Sequence, residues 1–282
     1  MIARRWCAPL LLISTVLLST VACGSVADRQ IEPVRELRAK GEACATADRL
    51  VYVRTLELAE PASPDVSLRG FDVSGDAMHL LYASSAPGKC ARTVRSLDLA
   101  TGAFRAERTA IDTCNTDVPG ELATIGDVHY LRSSTGKRDR LVQWDASGQK
   151  EVGALPEALG HLDVAQGRLV GSDNRGNLFS IVPGNDATPL ATIKLPSWGP
   201  TVGPEVDGDR VWLLRYAFER GMTNQIAFTS TASPNACTFD IEGLPGMQGR
   251  VELFAVRADH VYIPVAGQTQ GKLAVVELER RL

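Results

Sequence analysis

No segment of this sequence concentrates positive charge. Lys+Arg total 30 against 33 Asp+Glu, the net charge is −3, and the basic residues form no stripe. Sequence-independent nucleic-acid binding needs a concentrated positive field, so no nucleic acid is expected as a partner. Lysine is scarce. It stands at six positions (40, 89, 137, 150, 194 and 272), which leaves 24 arginines. GC-rich coding produces that bias without any arginine-driven recognition. Extended disorder is excluded too, because 44% of the residues are hydrophobic and only 22% are charged.

The familiar strings of catalysis are also missing. There is no His-Glu-x-x-His and no Gly-x-Ser-x-Gly. Residues 266–273 look like a phosphate loop but fail at both ends. Ala266 stands where the first glycine belongs, and Leu273 replaces the magnesium-holding Ser or Thr. Residues 173–177 carry oxygen ligands without the downstream Glu of an EF-hand and read as a turn. No cysteine pair has Cys-x-x-Cys spacing, which argues against a thioredoxin-like site or a zinc knuckle. No metal or cofactor is expected.

The N-terminus reads as an address. Arg4 and Arg5 form a basic start, and residues 6–22 follow as 17 uncharged, mostly apolar residues. A spanning helix wants about 20, so a signal peptide over residues 1–22 fits better. The segment ends Ser19-Thr20-Val21-Ala22-Cys23, and small residues before a cysteine resemble the lipobox of bacterial lipoproteins. The departure is Thr20, where that family usually carries an aliphatic residue. The resemblance implies that Cys23 receives acyl chains (palmitate among them) and becomes the mature N-terminus. Several acyl chains on one residue anchor stably, where one is marginal. The expectation is an exported, extracytoplasmic chain, lipid-anchored through Cys23 to a bacterial membrane. Plain secretion or a retained anchor are the alternatives. Loss of residues 1–22 removes two arginines and takes the charge from −3 to −5.

Four cysteines remain: Cys44, Cys90, Cys114 and Cys237. In a disulfide-permissive compartment an even count suggests two bridges, with four buried thiols as the alternative. Residues 23–47 read as the lipidated cysteine and a tether, with a short helix within residues 29–40.

From residue 48 to 282 the period is two, and apolar runs alternate with Gly, Asp and Asn turns. The runs repeat. Turns centred on Gly75, Gly126, Gly167, Gly208 and Ala258 precede aromatic or aliphatic strands, at spacings of 51, 41, 41 and 50. A second turn follows within each unit, as in Asp98-Leu99-Ala100-Thr101-Gly102 and Asp145-Ala146-Ser147-Gly148. Each unit is thus four short antiparallel strands.

This pattern resembles the β-propeller superfamily of WD40-like and quinoprotein-like rings. The resemblance implies an all-β chain of five four-stranded blades, or six if residues 48–70 form a partial one. The last unit lacks a fourth strand, and the orphan segment 49–58 would supply it, closing the ring and removing its edges. That topology pairs Cys44 with Cys237 as a latch and Cys90 with Cys114 within the first blade.

Propellers host enzymes, receptors and scaffolds alike, so function must come from a site. The innermost strands line the central channel. Aligned on their turn residues, they place Arg69, Glu121, His161, Glu205 and Glu252 toward one channel mouth. Such a set would bind a polyol or a cation, or perform acid–base hydrolysis. His79, His129 and His260 sit at inconsistent offsets and read as packing residues. Trp198 lies in a loop and could serve as a sugar platform. The leading expectation is a membrane-anchored binding or scaffold module with an envelope protein or a small ligand as partner. The alternative is a propeller hydrolase acting on extracellular carbohydrate or lactone.

Overall fold

The computed structural model describes residues 35–281 apart from 41–47, 62–65, 87–88, 113–120, 135–138, 157–158, 174, 176, 193–200, 208–209, 218–222, 231–232, 242, 245–250, 252 and 267–271. Residues 1–22, read above as a signal peptide, and Cys23, Cys44, Cys114, Trp198 and Glu252 therefore lie outside the described residues.

All described elements are strands, gathered into five antiparallel sheets. Blade 1 is β3 (Val66–Ser74), β4 (Ala77–Ala86), β5 (Lys89–Asp98) and β6 (Phe104–Asp112). Blade 2 is β7 (Leu122–Ile125), β8 (Val128–Ser134), β9 (Asp139–Asp145) and β10 (Gly148–Ala154). Blade 3 is β11 (Leu159–Ala165), β12 (Arg168–Asp173), β13 (Asn177–Ile181) and β14 (Thr188–Thr192). Blade 4 is β15 (Thr201–Asp207), β16 (Arg210–Ala217), β17 (Thr223–Ser230) and β18 (Ser233–Asp240). Blade 5 is built from both chain ends: β19 (Ala255–Arg257), β20 (His260–Ala266) and β21 (Lys272–Arg281), with β2 (Arg49–Pro61) paired on β21 and β1 (Glu36–Arg38) outside it.

The five-bladed ring closed by the N-terminal strand is as the repeat predicts. Two details differ. Residues 36–38 form a strand rather than part of a helix, because Leu37 alternates inward between exposed Glu36 and Arg38 and joins the apolar core that blades 4 and 5 share. This strand also continues the ring beyond residue 48, since Lys40 bridges Thr238 of β18 and its ammonium meets Asp240 at 2.5 Å. Blade 5 thereby gains a fifth strand.

Period-2 alternation explains how blades stack. Neighbouring residues on one strand enter different cores: Leu80 packs toward blade 5, and Leu81 toward blade 2. Leu169 joins the core between blades 2 and 3, and Val170 the one between blades 3 and 4. The result is five apolar clusters, one at each blade interface. Both faces of each blade are buried, which a strictly alternating polar-out strand would not permit.

The closing strand is latched by charge as well as by apolar packing. Arg280 donates through Nε and Nη2 to Asp48 Oδ1 at 3.1 and 2.7 Å, and its guanidinium lies 4.6 Å from the Phe228 ring of blade 4. On the other side, Arg54 of β2 meets Glu277 at 2.6 Å and donates to the carbonyls of Leu99 and Ala100 in blade 1. Cys237 is buried and disulfide-bonded, to a partner outside the described residues. Cys90 stands opposite Asp112 in the β5–β6 ladder, two residues before Cys114.

Candidate functional site in the central channel

Every blade joins its two inner strands by a two-residue turn. The ladders close on Ser74–Ala77, Ile125–Val128, Ala165–Arg168, Asp207–Arg210 and Arg257–His260. Gly75 and Gly126 are the first residues of their turns and hold φ of 60° and 58°. In blade 3 the glycine is second: Gln166 precedes Gly167, and both have positive φ, at 51° and 74°. A glycine-based alignment therefore places blade 3 one residue out of step. Aligned on the first turn residue, His161 comes level with Glu121, and Asp163 comes level with Asp72 and Glu205. That slip is why Asp163 escapes the sequence reading.

The corrected levels describe the channel. His161, on β11, donates on both sides of its ring. Nδ1 lies 2.9 Å from Glu121 Oε2, just ahead of β7, and Nε2 lies 2.8 Å from Glu205 Oε1 on β15. Blades 2, 3 and 4 each contribute one member. Burial works against a charged imidazole, but the two carboxylates outweigh it and hold the His161 pKa well above its usual 6.5. The ring is an imidazolium with no lone pair to offer. The second oxygen of Glu205, Oε2, is buried without a hydrogen-bond partner.

One level along the axis, Arg257 ends the three-residue strand β19 and spans the channel. Its Nη2 meets Asp72 Oδ1 at 2.5 Å, and its Nη1 lies 3.5 Å from Asp163 Oδ1. Burial disfavours the guanidinium charge, yet Asp72, Asp163 and Glu205 keep it firmly protonated. Asp163 is driven the other way. Burial and then the like charge of Glu205 raise its pKa well above the carboxylate norm, against the pull of Arg257.

The same carboxylates join neighbouring blades. Asp72 Oδ2 accepts from the Thr124 backbone N–H at 2.6 Å, and Asp163 Oδ2 accepts from the Val206 N–H at 2.7 Å. The channel side of an innermost strand carries backbone donors with no ladder partner. An acid from the preceding blade satisfies them by a charge-assisted bond. The signal was visible in the sequence as a recurring acid–valine step before the turn: Asp72-Val73, Asp163-Val164 and Glu205-Val206.

Of the five predicted mouth residues, Glu121, His161 and Glu205 meet. Arg69 does not join them. The β3–β4 register shifts between Leu68 and Gly70, and Arg69 is exposed at that bulge, on the opposite parity to Asp72. Glu252 lies outside the described residues. Arg257, Asp72 and Asp163 are the members that mouth-level reasoning missed. No group of three or more metal-ligating side chains occurs among the described residues.

No protein-family model matches the chain. No curated protein matches it either. Among solved structures it is similar to a glutaminyl cyclase from Myxococcus xanthus, with 14% identity and a TM-score of 0.51 over 83% of this chain and 97% of that one. A glycosyl hydrolase from Bacteroides ovatus is similar at 10% identity and a TM-score of 0.47, over 77% of this chain and 84% of that one. At such identity the likeness to the cyclase concerns the fold, and the weaker match adds nothing to it.

Proposed function

We propose that this chain is an extracytoplasmic binding module, anchored through acylated Cys23, that takes a cationic or hydroxyl-rich small ligand at the channel mouth formed by Glu121, His161 and Glu205. The observation that carries this reading is the buried, unpartnered Oε2 of Glu205, whose other oxygen binds the His161 ring that Glu121 holds from its far side. An orphaned buried acceptor is costly, and a ligand donor would remove that cost. Because both nitrogens of His161 are already engaged, its role is to hold the two carboxylates in place. The lipid anchor rests on the lipobox-like Ser19-Thr20-Val21-Ala22-Cys23. Disulfides Cys44–Cys237 and Cys90–Cys114 belong to the same reading; the Lys40–Thr238 bridge stands four residues before Cys44 and one after Cys237 in the sequence.

The test is a ligand screen of the full chain in detergent, using polyamines, polyols and peptides. Peptides with an N-terminal glutamine belong in it, since glutaminyl cyclase is the activity named for the matched fold. A ligand that binds wild type but not Glu205→Gln supports the reading. A screen in which no cationic or hydroxyl-rich compound binds refutes it. Fractionation of Cys23→Ser tests the anchor separately: the variant should leave the membrane pellet.

One observation favours a second reading, a hydrolase. Burial and the nearby charge of Glu205 raise the pKa of Asp163, the direction that a general acid needs. Glycoside or lactone turnover lost in both Asp163→Asn and Glu205→Gln would establish it.

A further inference from the structure

A second site lies away from the channel mouth. A cleft of about 360 Å³ opens between blades 1 and 2, lined by the β3–β4 and β7–β8 turns and by residues of β4, β5, β6 and β8. That volume is in the range of small-ligand sites. His79 and His129 stand side by side in it, with ring centroids 5.1 Å apart and an edge-on arrangement. Their Nδ1 atoms are engaged by Ser96 Oγ at 2.9 Å and Thr124 Oγ1 at 3.2 Å. Nε2 is left as the available nitrogen of each ring.

Most charges around the cleft are paired with one another. Arg105 is satisfied by both oxygens of Asp76 at 2.7 and 2.8 Å, and by Asp98. Glu107 is paired with Arg95 at 2.6 Å. Arg108 makes no ion pair among the described residues, although its charge acts on the Asp145 carboxylate. It donates only to the Asp127 carbonyl at 2.8 Å and the Trp144 carbonyl at 3.5 Å. The exposed Asp127 side chain is at the rim, and the Asp145 carboxylate is engaged by Ser147 and Gln143. Ala77, Val94 and Ala106 supply an apolar wall.

We propose that this cleft binds a small organic carboxylate, with its head on the Arg108 guanidinium and the Nε2–H groups of His79 and His129 and its carbon body against the apolar wall. A guanidinium with no ion pair of its own favours an anionic head group. The apolar wall and the volume select one with a carbon skeleton over a bare oxyanion. Burial is the chief cause that lowers the pKa of both imidazoles. His79 is faced by Asp72, Arg257, Arg105 and Arg108, and His129 by His79 and Arg108. An anion bound against the rings favours their charged form, so proton uptake accompanies binding, and affinity rises as pH falls.

The test is calorimetric titration of the full chain with benzoate and succinate, with inorganic phosphate and Zn²⁺ as comparators, near pH 6 and pH 8. Saturable carboxylate binding, tighter at the lower pH, is expected. Arg108→Gln should weaken it about tenfold or more, the scale of one lost charge-assisted hydrogen bond. Arg108→Lys should retain more than Gln does. If Arg108→Gln does not fold, carboxylate-induced NMR shifts confined to the His79 and His129 rings in wild type provide the readout. The absence of saturable binding would overturn the proposal, as would binding indifferent to Arg108. Phosphate bound as tightly as both carboxylates would overturn it in favour of a bare-anion site. Zn²⁺ binding lost in a His79→Asn, His129→Asn variant, without carboxylate binding, would make the pair a metal site instead.

Discussion

Replacing His161 by Gln removes the cation between Glu121 and Glu205 and leaves two carboxylates facing each other. All three side chains are largely buried, at 12%, 19% and 5% exposure. Removing one partner of a buried charge pair typically costs about 3–5 kcal/mol. For a chain of this size about 1 kcal/mol moves Tm by roughly 2–4 °C, so the variant should melt about 6–20 °C lower. The pH dependence carries a definite sign. His161 has a folded-state pKa well above the unfolded 6.5. Its contribution is therefore fully present below about pH 6.5 and is lost as pH rises through the folded value. The gap between wild type and His161→Gln should be wide near pH 6 and close toward alkaline pH. Calorimetric melts of both proteins across that range measure it. A Tm loss under about 2 °C near pH 6, or a gap that widens as pH rises, would refute the reasoning. The triple variant Glu121→Gln, His161→Gln, Glu205→Gln should recover part of the loss, because it leaves no unpaired charge in that group.

His129 is neutral in the fold, its pKa lowered to about 3 by burial, then by His79 and Arg108. The stability it contributes is present above pH 6.5 and should fall by about 1.4 kcal/mol per pH unit below that, a slope that His129→Asn removes in urea titrations. Gly171→Ala should cost about 1–3 kcal/mol in the same assay, because the new methyl meets Leu159 Cδ1 at 2.6 Å and Ile181 Cδ1 at 2.8 Å inside the core between blades 2 and 3. Ala258 holds φ of 52° at the turn position where blades 1 and 2 carry glycine. Ala258→Gly should therefore stabilise by about 0.5–1 kcal/mol despite the added chain entropy, raising the urea midpoint. Arg280→Met leaves Asp48 buried without its partner and should lose about 3–5 kcal/mol. Limited proteolysis of that variant should cut first near β2, the strand that closes the ring.

Much of the fold was legible because it rests on local rules. Two-residue turns at fixed phase, with alternating apolar runs between them, specify hairpins one at a time. The five repeats count the blades, and the unpaired final unit calls for residues 49–58 as its missing strand. Export and acylation were read from the same chain and stand as proposals. The site was legible only in part. Glu121, His161 and Glu205 were found, but with His161 placed at the wrong level. Asp163 and Arg257 were not found, and His79 and His129 showed no common offset.

The strand pattern, the number of blades and the way the ring closes are written in the chain itself. These depend on hydrogen bonds between strands adjacent in the repeat and on side-chain alternation with a period of two. Which charges meet is set by the folded ring. A bulge at Arg69 and a turn whose glycine comes second each shift a side chain by one position. One position is the difference between the channel and the opposite face. The ion cluster forms between blades distant in sequence: Asp72 with Arg257, and His161 with Glu205. No local pattern in the chain encodes a distance across the channel. It follows from closing five twisted sheets around one axis.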